Sequence, residues 1–409
     1  MESMAVGLCN PEEPNPVAGV RLSATTAGIY KRQRPDLVLF ELCPGSRCAA
    51  VFTRNAFCAA PVQIARQHLA STSRSRYLLI NAGNANAGTG ERGLRDARHA
   101  CEYLAGEAGC RAEEVLPFST GVIGEYLPVD RLCRGVDTLL TSLAADNWGP
   151  CSRAIMTTDT IAKSVSRRIQ TSAGEVTLTG IAKGSGMIKP GMATMLAFIA
   201  TDAALEDGHM QSLLQAAVGK SFNRITVDGD TSTNDACVLV ATGASGIAIR
   251  TDDLESTTRF AQGLDAICTT LAQAIVRDGE GATKFLVITV RGGRDSADCL
   301  KAAYAIAESP LVKTACHASD PNWGRILAAV GRAGIDDLGI GGVSIHLNGL
   351  CIAAAGTRSP AYTEEQGKQA MSRDEIEIAV DLGMGQAVET VWTCDLSAGY
   401  VRINADYRT

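Results

Sequence analysis

Short apolar runs, each bounded by turn-forming residues, alternate along the chain with stretches in which apolar residues follow a helical spacing. Runs of this length are typical of strands. The predicted strands are 36–42, 49–53, 77–81, 115–120, 163–170, 175–181, 194–202, 237–243, 343–347, 375–381, 388–394 and 399–404. The predicted helices are 91–107, 128–145, 209–221, 253–277 and one that begins behind Pro321 and Asn322. This interleaving predicts an α/β fold, with mixed sheets and packed helices in a two-lobed body.

The rest of the pattern is arranged around one junction, where the glycine-rich loop KGSGMIKPGMA meets an apolar strand that begins at Thr194. Glycine and proline exclude a helix from the loop. If the bond between Ala193 and Thr194 is cut, Thr194 carries both a hydroxyl and a free α-amine. Such an amine titrates at about 7.7–8.0, so it can serve as the general base for its own hydroxyl. The alternative interpretation is an ordinary threonine that opens a strand.

Composition excludes several classes of protein. The 409 residues are 46% hydrophobic and 20% charged, with no apolar run of membrane-spanning length. A net charge of −6 and the absence of a basic tract argue against a nucleic-acid partner. The first 20 residues lack the features of a secretory signal or transit peptide, so we expect a cytoplasmic protein with a short, loose N-terminal tail.

Metal and disulfide chemistry also have little support. The 14 cysteines are scattered without a CxxC pair, and the five histidines are equally dispersed. We therefore expect buried, reduced thiols and neither a zinc site nor a Cys–His dyad. The acidic segment 223–235 departs from the spacing of a calcium-binding EF-hand loop, so no metal is predicted there.

Three other turns carry candidate chemistry. The segment NAGNANAGTG at 81–90 is either a surface turn or a cradle of backbone N–H groups for an anion. Thr120 and Gly121 follow a strand, where a hydroxyl and an unobstructed N–H would suit a developing oxyanion; a simple turn is the alternative. Glu280, between two glycines, is either a solvated turn residue or a partner for a substrate ammonium. The terminal residues are expected to fray.

Taken together, the motifs resemble the ornithine acetyltransferase family of arginine biosynthesis, also called glutamate N-acetyltransferases. Only the tail before about residue 18 departs from that family's pattern. The segments that carry the resemblance are RPDL, AAVFTRN, NAGNANAGTG, STGVIGEYLP, MTTDT, KGSGMIKPGMATM, NRITVDGDTSTND, RDGEGATKF, DPNWGRILAAVGRAG and INADYRT.

The resemblance implies a fold similar to that of the self-processing aminopeptidases and ornithine acetyltransferases. It implies that Thr194 is the nucleophile, released by self-cleavage after Ala193 into chains 1–193 and 194–409, and that Thr120 and Gly121 form the oxyanion hole. The implied substrate-binding residues are Thr157, Lys183, Thr194, Glu280, Asn404 and Thr409. These types suit an amino acid, because lysine binds a carboxylate and glutamate an ammonium.

The implied reaction moves an acetyl group from N-acetylornithine to Thr194 and then to glutamate. It needs no cofactor, although acetyl-CoA is a possible second donor, and the implied assembly is a heterotetramer with two of each chain. Two other functions stay open. A self-processed nucleophile can also pass its acyl group to water, as an aminopeptidase or amidase does, and a binding module would use the glycine-rich loops as ligand cradles and stay uncut.

Overall fold

The computed structural model describes residues 5–30, 33–72, 74–189 and 195–405. The chain divides into two compact units, and each contains both sheets and helices, so the predicted α/β class with mixed sheets is confirmed. The N-terminal unit comprises 10–223 and 230–275, and the C-terminal unit comprises 1–9, 224–229 and 276–409. The bond between Ala193 and Thr194 falls inside the sequence of the N-terminal unit, so the units do not coincide with the two implied chains.

The N-terminal unit contains two sheets. The four-stranded sheet has the order β1-β2-β4-β5, and the five-stranded sheet has the order β3-β9-β8-β7-β6. The strands are β1 Val20–Thr25, β2 Leu37–Leu42, β3 Arg47–Phe52, β4 Tyr77–Asn84, β5 Val115–Val122, β6 Lys163–Thr171, β7 Gly174–Lys183, β8 Leu196–Thr201 and β9 Ala236–Ala241. The pairs β4–β5 and β8–β9 are parallel.

The helices of this unit are α1 Ala60–Ser71, α2 Gly90–Ala108, α3 Val129–Thr141, α4 Trp148–Ala154, α5 Asp207–Lys220 and α6 Leu254–Arg277, whose last turn crosses the boundary between the units. Short 3₁₀ turns lie at Ala112–Glu114 and Phe222–Arg224.

Strand alternation divides the apolar residues of β2 between two cores. Leu37 and Leu39 pack with residues of α2 and α3 on one side of the sheet. Phe40 lies on the other side, in a core shared with the five-stranded sheet, where its ring centroid is 5.6 Å from that of Phe198. Both faces of β2 are buried because the side chains of a strand point alternately to its two faces.

The C-terminal unit is built on one sheet with the order β13-β12-β11-β14-β10-β15. Its strands are β10 Phe285–Gly293, β11 Ser344–Leu347, β12 Leu350–Ala354, β13 Thr357–Arg358, β14 Glu375–Asp381 and β15 Ala387–Cys394. Its helices are α7 Ser296–Ala307, α8 Pro310–His317, α9 Trp323–Gly331, α10 Glu364–Met371 and α11 Ala398–Ala405, with a 3₁₀ turn at Ile340–Gly342. Residues of β10, α7, α9 and β14 share one apolar core.

The prediction of a strand at 399–404 was wrong, because this segment is helix α11. Its apolar residues do not face a sheet, and Val401 is 65% exposed. The helix begins at a local turn, in which the Gly399 N–H donates to Ser397 Oγ at 3.0 Å. The sequence pattern also left out several elements, namely β1, β12, β13, α1, α4, α7, α8 and α10, and it gave no range for β10.

The N-terminal tail is not loose over its described residues, contrary to expectation. In the C-terminal unit, the Val6 N–H donates to the Arg277 carbonyl at 2.8 Å. In the N-terminal unit, Asn15 bonds to the side chains of Ser166 and Thr179, at 2.8 and 2.7 Å. Both Val6 and Val17 are buried, so apolar side chains anchor what the local composition indicated as a tail.

The cysteines are free thiols, as predicted, and nine of the fourteen are buried. Burial raises the pKa of Cys48 to about 12, which keeps that thiol protonated at neutral pH. Over the described ranges, no helix is long and apolar enough to cross a membrane.

Candidate active site

Thr120 and Gly121 lie at the end of β5, where its pairing with β4 becomes irregular. Thr120 is buried. Gly121 has a φ of +136°, and a Cβ there would lie 2.2 Å from the Gly83 carbonyl carbon. Residues with a side chain rarely adopt this backbone conformation, and there is no room for a Cβ at this position, so only glycine fits. The oxyanion residues implied by the sequence therefore occupy a backbone shape that the neighbouring strand imposes.

The Asn- and Gly-rich loop after β4 supports this strand end. The Ala85 N–H donates to the Val122 carbonyl at 3.0 Å, and the Asn86 N–H donates to Asn84 Oδ1 at 2.8 Å. Both amides donate to acceptors within the protein, so the loop helps to position the end of β5. Neither amide is then available to bind an anion, which weakens the interpretation of this loop as an anion cradle.

Asn234, in the acidic segment before β9, holds the same region from another side. Its Nδ2 donates to the Ala85 carbonyl at 2.6 Å and to the Ser119 carbonyl at 2.9 Å. One buried amide group thus ties the loop to the residue that precedes Thr120.

Lys183 ends β7 and pairs in register with Leu196, the first residue of β8. Its side chain is buried, and Nζ lies 3.4 Å from Thr120 Oγ1. A lysine ammonium only donates, so the Thr120 oxygen is the acceptor of this hydrogen bond. Donation into a hydroxyl oxygen strengthens the hydrogen bond that the hydroxyl itself makes. Lys183 and Thr120 therefore form a polarised donor pair.

The backbone of Thr157 is held on two sides. Its carbonyl accepts hydrogen bonds from the Tyr30 hydroxyl at 3.2 Å and from the Arg34 guanidinium at 3.3 Å. Its N–H donates to Asp159 Oδ2 at 3.1 Å. The segment that carries Tyr30 is fixed in turn by buried Asp36, which accepts from the Tyr30 N–H at 2.8 Å.

Asp159 links this loop to the glycine-rich loop. Its Oδ1 accepts from the Gly184 N–H at 2.8 Å and from Lys163 Nζ at 2.7 Å. Burial would raise the pKa of Asp159, but the charges of Lys163 and Lys183 and the Gly184 amide outweigh it, so the pKa lies below its usual value. Asp159 is therefore a buried carboxylate that fixes the residues beside Thr157 and Lys183.

Asp235 bonds to the amide that directly follows Thr194 in the sequence. Its Oδ1 accepts from the Met195 N–H at 2.9 Å, while Oδ2 is buried without a hydrogen-bond partner in the described part of the chain. Burial raises the pKa of Asp235 well above its usual value, against smaller opposing effects of the Met195 amide, the Lys183 charge and the nearby Ser232 hydroxyl.

Glu280 and Asn404 come together within the C-terminal unit. Asn404 Nδ2 donates to Glu280 Oε2 at 2.7 Å. Glu280 is buried, so the interpretation as a solvated turn residue was wrong. A Cβ on Gly281 would lie 2.4 Å from the Tyr400 nitrogen, which shows how closely α11 packs against the turn that carries Glu280.

The remaining implied site residues, Ala193, Thr194 and Thr409, lie outside the described residues. Within the N-terminal unit, the structure brings Thr120 beside Lys183, and Asp159 connects Thr157 to the loop after Lys183. No group of three metal-ligating side chains occurs among the residues with described positions.

Sequence reasoning missed four residues of this network, Asp159, Lys163, Asn234 and Asp235. Three of them stand inside motifs already noted, since Asp159 belongs to MTTDT and the other two end TSTND. Their presence as acidic or amide residues inside these motifs was the signal that could have indicated a role in the site. Lys163 had none, because it reads as the polar first residue of a strand.

Comparison with known proteins agrees with the resemblance. A sequence profile of the ArgJ family matches residues 21–409. The arginine biosynthesis bifunctional protein ArgJ of Methylococcus capsulatus is 54% identical over 407 residues, covering 98% of this chain and 99% of that protein. The protein of the same name from Pseudomonas syringae pv. tomato is 51% identical, covering 99% and 100%. The chain belongs to the ArgJ family.

Membership makes the chain an enzyme of arginine biosynthesis, a glutamate N-acetyltransferase within the acyltransferase class. Two solved structures are also similar to it. The ArgJ protein of Bacillus halodurans is 36% identical, with a TM-score of 0.48, covering 50% of this chain and 95% of that one. The ornithine acetyltransferase of Mycobacterium tuberculosis, solved with ornithine, is 35% identical, with a TM-score of 0.40, covering 43% and 92%.

Proposed function

We propose that this ArgJ-family enzyme moves the acetyl group of N-acetylornithine to glutamate through an acetyl ester on Thr194. The chain first cleaves itself between Ala193 and Thr194, when the threonine hydroxyl attacks the Ala193 carbonyl. The new α-amine then acts as the base for the same hydroxyl. The observation that supports this most is the 3.4 Å approach of Lys183 Nζ to Thr120 Oγ1, at the point where Lys183 pairs with the first residue of β8.

The two half-reactions use one set of donors. When Thr194 attacks the acetyl carbonyl, negative charge develops on the carbonyl oxygen, and the Thr120 hydroxyl and the Gly121 N–H stabilise it. The charge of Lys183 strengthens the donation from Thr120. Ornithine leaves as the free amine, and glutamate then attacks the acetyl ester through its own amine and receives the acetyl group.

Recognition of the amino-acid substrates uses opposite charges. Lys183 binds the substrate carboxylate, and the hydroxyl of Thr157 adds a neutral hydrogen bond beside it. Glu280 binds the ammonium, and Asn404 and Thr409 add amide, hydroxyl and terminal carboxylate groups. The paired arrangement of Asn404 and Glu280 supports this assignment, because the Asn404 amide holds one oxygen of the Glu280 carboxylate in place.

The reaction needs no cofactor, because an amide is exchanged for an ester and then for an amide. We extend the proposal to acetyl-CoA as a second donor to Thr194, in line with the word bifunctional in the names of the relatives. The cleaved chains 1–193 and 194–409 stay together in the cytoplasm and pair into a heterotetramer.

The test compares three reaction mixtures of purified enzyme, with N-acetylornithine and glutamate, with N-acetylornithine alone, and with acetyl-CoA and glutamate. Transfer predicts N-acetylglutamate and ornithine in equal amounts in the first mixture and at most one ornithine per enzyme in the second. Continuous release of ornithine without glutamate would favour the aminopeptidase or amidase alternative. An uncut chain without turnover would favour a binding module. N-acetylglutamate in the third mixture would support the second donor.

A further inference from the structure

The turn that carries Glu280 is held by one short stretch of the chain. This turn, 278–284, joins α6 to β10, and the stretch 395–397 joins β15 to α11. Two of the three residues in that stretch, Asp395 and Ser397, make side-chain hydrogen bonds to the turn, between residues 112 and 116 positions apart. The place of the Glu280 carboxylate therefore depends on a distant segment of the same unit.

Asp395 binds the end of the turn. Its Oδ1 accepts from the Thr283 N–H at 2.7 Å and from the Lys284 N–H at 2.9 Å. Its Oδ2 accepts from the Thr283 hydroxyl at 2.5 Å and from His317 Nδ1 at 2.8 Å. The Asp395 side chain is 0% exposed, so little water competes with these donors. Because hydrogen bonds to a carboxylate are about twice as strong as those between neutral groups, the backbone that follows Glu280 is firmly fixed.

Ser397 holds the middle of the turn. Its hydroxyl donates to the Gly281 carbonyl at 2.6 Å, and the same oxygen accepts from the Gly399 N–H at 3.0 Å. One hydroxyl thus ties the residue after Glu280 to the first turn of α11. Since α11 also carries Asn404, whose amide lies 2.7 Å from the Glu280 carboxylate, this bond positions both members of that pair.

We propose that Asp395 and Ser397 are positioning residues for the substrate ammonium, because they hold the Glu280 turn against the start of α11 and so place the Glu280 carboxylate. Neither residue touches the substrate in this scheme, and both act through Glu280. A binding group must be held within about 0.5 Å of its productive position, which requires supporting hydrogen bonds of this kind. The inference rests on the proposed function, in which Glu280 binds the ammonium.

Two donor substrates separate positioning from a merely structural role. N-acetylornithine, acetylated on its α-nitrogen, carries one ammonium, on its side chain. N-acetylnorvaline has the same backbone and acetyl group but lacks that amine. The ratio of kcat/KM for the first donor to kcat/KM for the second, here called the ammonium preference, measures the stabilisation that the ammonium receives in the transition state. General damage to the fold lowers both values equally and leaves the ammonium preference unchanged.

The experiment measures the ammonium preference of purified, processed enzyme, together with Tm. In D395A we expect it to fall about ten- to hundredfold, since a shift of about 1 Å in a positioned group can cost that much. In S397A, which loses one neutral hydrogen bond to the turn, the expected fall is about three- to tenfold. D395N keeps an oxygen for both backbone N–H groups and should stay within about threefold of wild type.

The matched control is D295A, in the same unit. The Asp295 side chain accepts from the Asp298 N–H at 2.9 Å and caps α7. Its loss should lower Tm, as the loss of a helix cap does, and leave the ammonium preference unchanged. A double-variant comparison completes the design. E280Q removes the charge that is positioned, so E280Q/D395A should show the same ammonium preference as E280Q alone.

Three results would overturn the inference: an unchanged ammonium preference in D395A or S397A, a fall in D395N as large as in D395A, or a further fall when D395A is added to E280Q. If D395A does not fold, S397A and D395N decide by the same criteria. Wild-type enzyme that transfers acetyl groups without an ammonium preference would contradict the assignment of Glu280, and enzyme without transfer would contradict the proposed function as a whole. Either result removes the inference as well.

Discussion

The hydroxyl of Thr120 accepts a hydrogen bond and is positioned to donate another. Lys183 donates to its oxygen at 3.4 Å, so the hydroxyl proton is not used in that bond. A hydroxyl polarised in this way is a better donor to a charge that exists only in the transition state. In the proposed mechanism the role of Thr120 is therefore kinetic, and its effect on folding should be small.

Replacing Thr120 tests this role. We expect Thr120→Ala to lower kcat by about two to three powers of ten, the usual loss when one oxyanion donor is removed, with little change in Tm. Thr120→Ser keeps the hydroxyl and is the matched control, which should retain most of the activity. Steady-state kinetics and thermal melts on the processed protein measure both effects. An unchanged kcat in the alanine variant would remove Thr120 from the mechanism.

Asp235 leads to a prediction about pH and stability. Its pKa is raised by burial, so the folded protein keeps a proton that the unfolded chain loses above about pH 4. The free energy of unfolding therefore falls as pH rises from there towards the raised pKa, by up to about 1.4 kcal/mol per pH unit from this group. The variant Asp235→Asn does not titrate at this position, so its free energy of unfolding lacks this dependence on pH.

The difference in Tm between Asp235→Asn and wild type should thus shift in favour of the variant as the pH rises above 5 towards the raised pKa of Asp235. Thermal melts of both proteins across this range measure it. A constant difference would show that Asp235 does not hold its proton in the folded state. Loss of the hydrogen bond from the Met195 N–H would change the difference in Tm by a constant amount, but it would not change how that difference depends on pH.

At the scale of elements, the site depends on how strands end. The last two residues of β5 include a glycine with positive φ against Gly83, and β7 ends at Lys183 beside the start of β8. Most of these strands could be predicted from apolar runs, because alternate burial on two faces leaves a clear pattern. The irregular register between β4 and β5 could not, since it arises from contacts between residues almost 40 positions apart.

Gly121 provides an element-scale prediction. A Cβ there would lie 2.2 Å from the Gly83 carbonyl carbon and 2.5 Å from the Asn84 nitrogen, so Gly121→Ala must push the strand ends apart. We expect a loss of stability of about 1–3 kcal/mol from backbone strain, together with a fall in kcat similar to that of Thr120→Ala.

The matched control is Gly106→Ala in α2, where a Cβ meets nothing within 4 Å. Alanine at this exposed helical position should stabilise the protein by about 0.5–1 kcal/mol and leave kcat unchanged. Thermal melts and kinetics on both variants make the comparison. A Gly121→Ala protein as stable and active as the control would contradict the steric argument.

Helix α11 shows where pattern reading fails at this scale. The segment GYVRIN has the β-branched and aromatic content of a strand, yet it forms a helix that packs close to the Gly281 turn. Its conformation is decided by that tertiary contact and by the turn at Ser397, neither of which is visible in a local window. The same contact brings Asn404 to Glu280.

At the scale of the whole molecule, residues distant in sequence form each part of the candidate site. In the N-terminal unit, Thr120, Thr157 and Lys183 come from three segments, and family motifs were enough to name them. The residues that hold these segments together, Asp159 and Asn234, could not be predicted, because their roles depend on partners 25 and more than 100 positions away. A motif indicates which residues matter, but the fold is needed to show what supports them.

Self-cleavage should leave two chains that do not separate under native conditions. Strand β8, which follows Thr194, lies between β7 and β9, so a cut before it leaves its sheet contacts in place. A denaturing gel of active protein should show two bands, and a native sizing column should show one species. Thr194→Ala should give one band and no activity, whereas Thr194→Ser should process and react slowly, because it lacks the β-methyl that restricts χ1. A single band from active wild-type protein would contradict self-cleavage.

The most direct test of the central claim is the mass of the C-terminal chain during the reaction. Processed enzyme is mixed with N-acetylornithine alone, quenched in acid and examined by peptide mass spectrometry. The expected result is one added acetyl group on the side-chain oxygen of Thr194, at the N-terminus of the chain 194–409, which disappears when glutamate is added before the quench. Active enzyme that carries no acetyl group on Thr194, or carries it on another residue that glutamate discharges, would contradict the account.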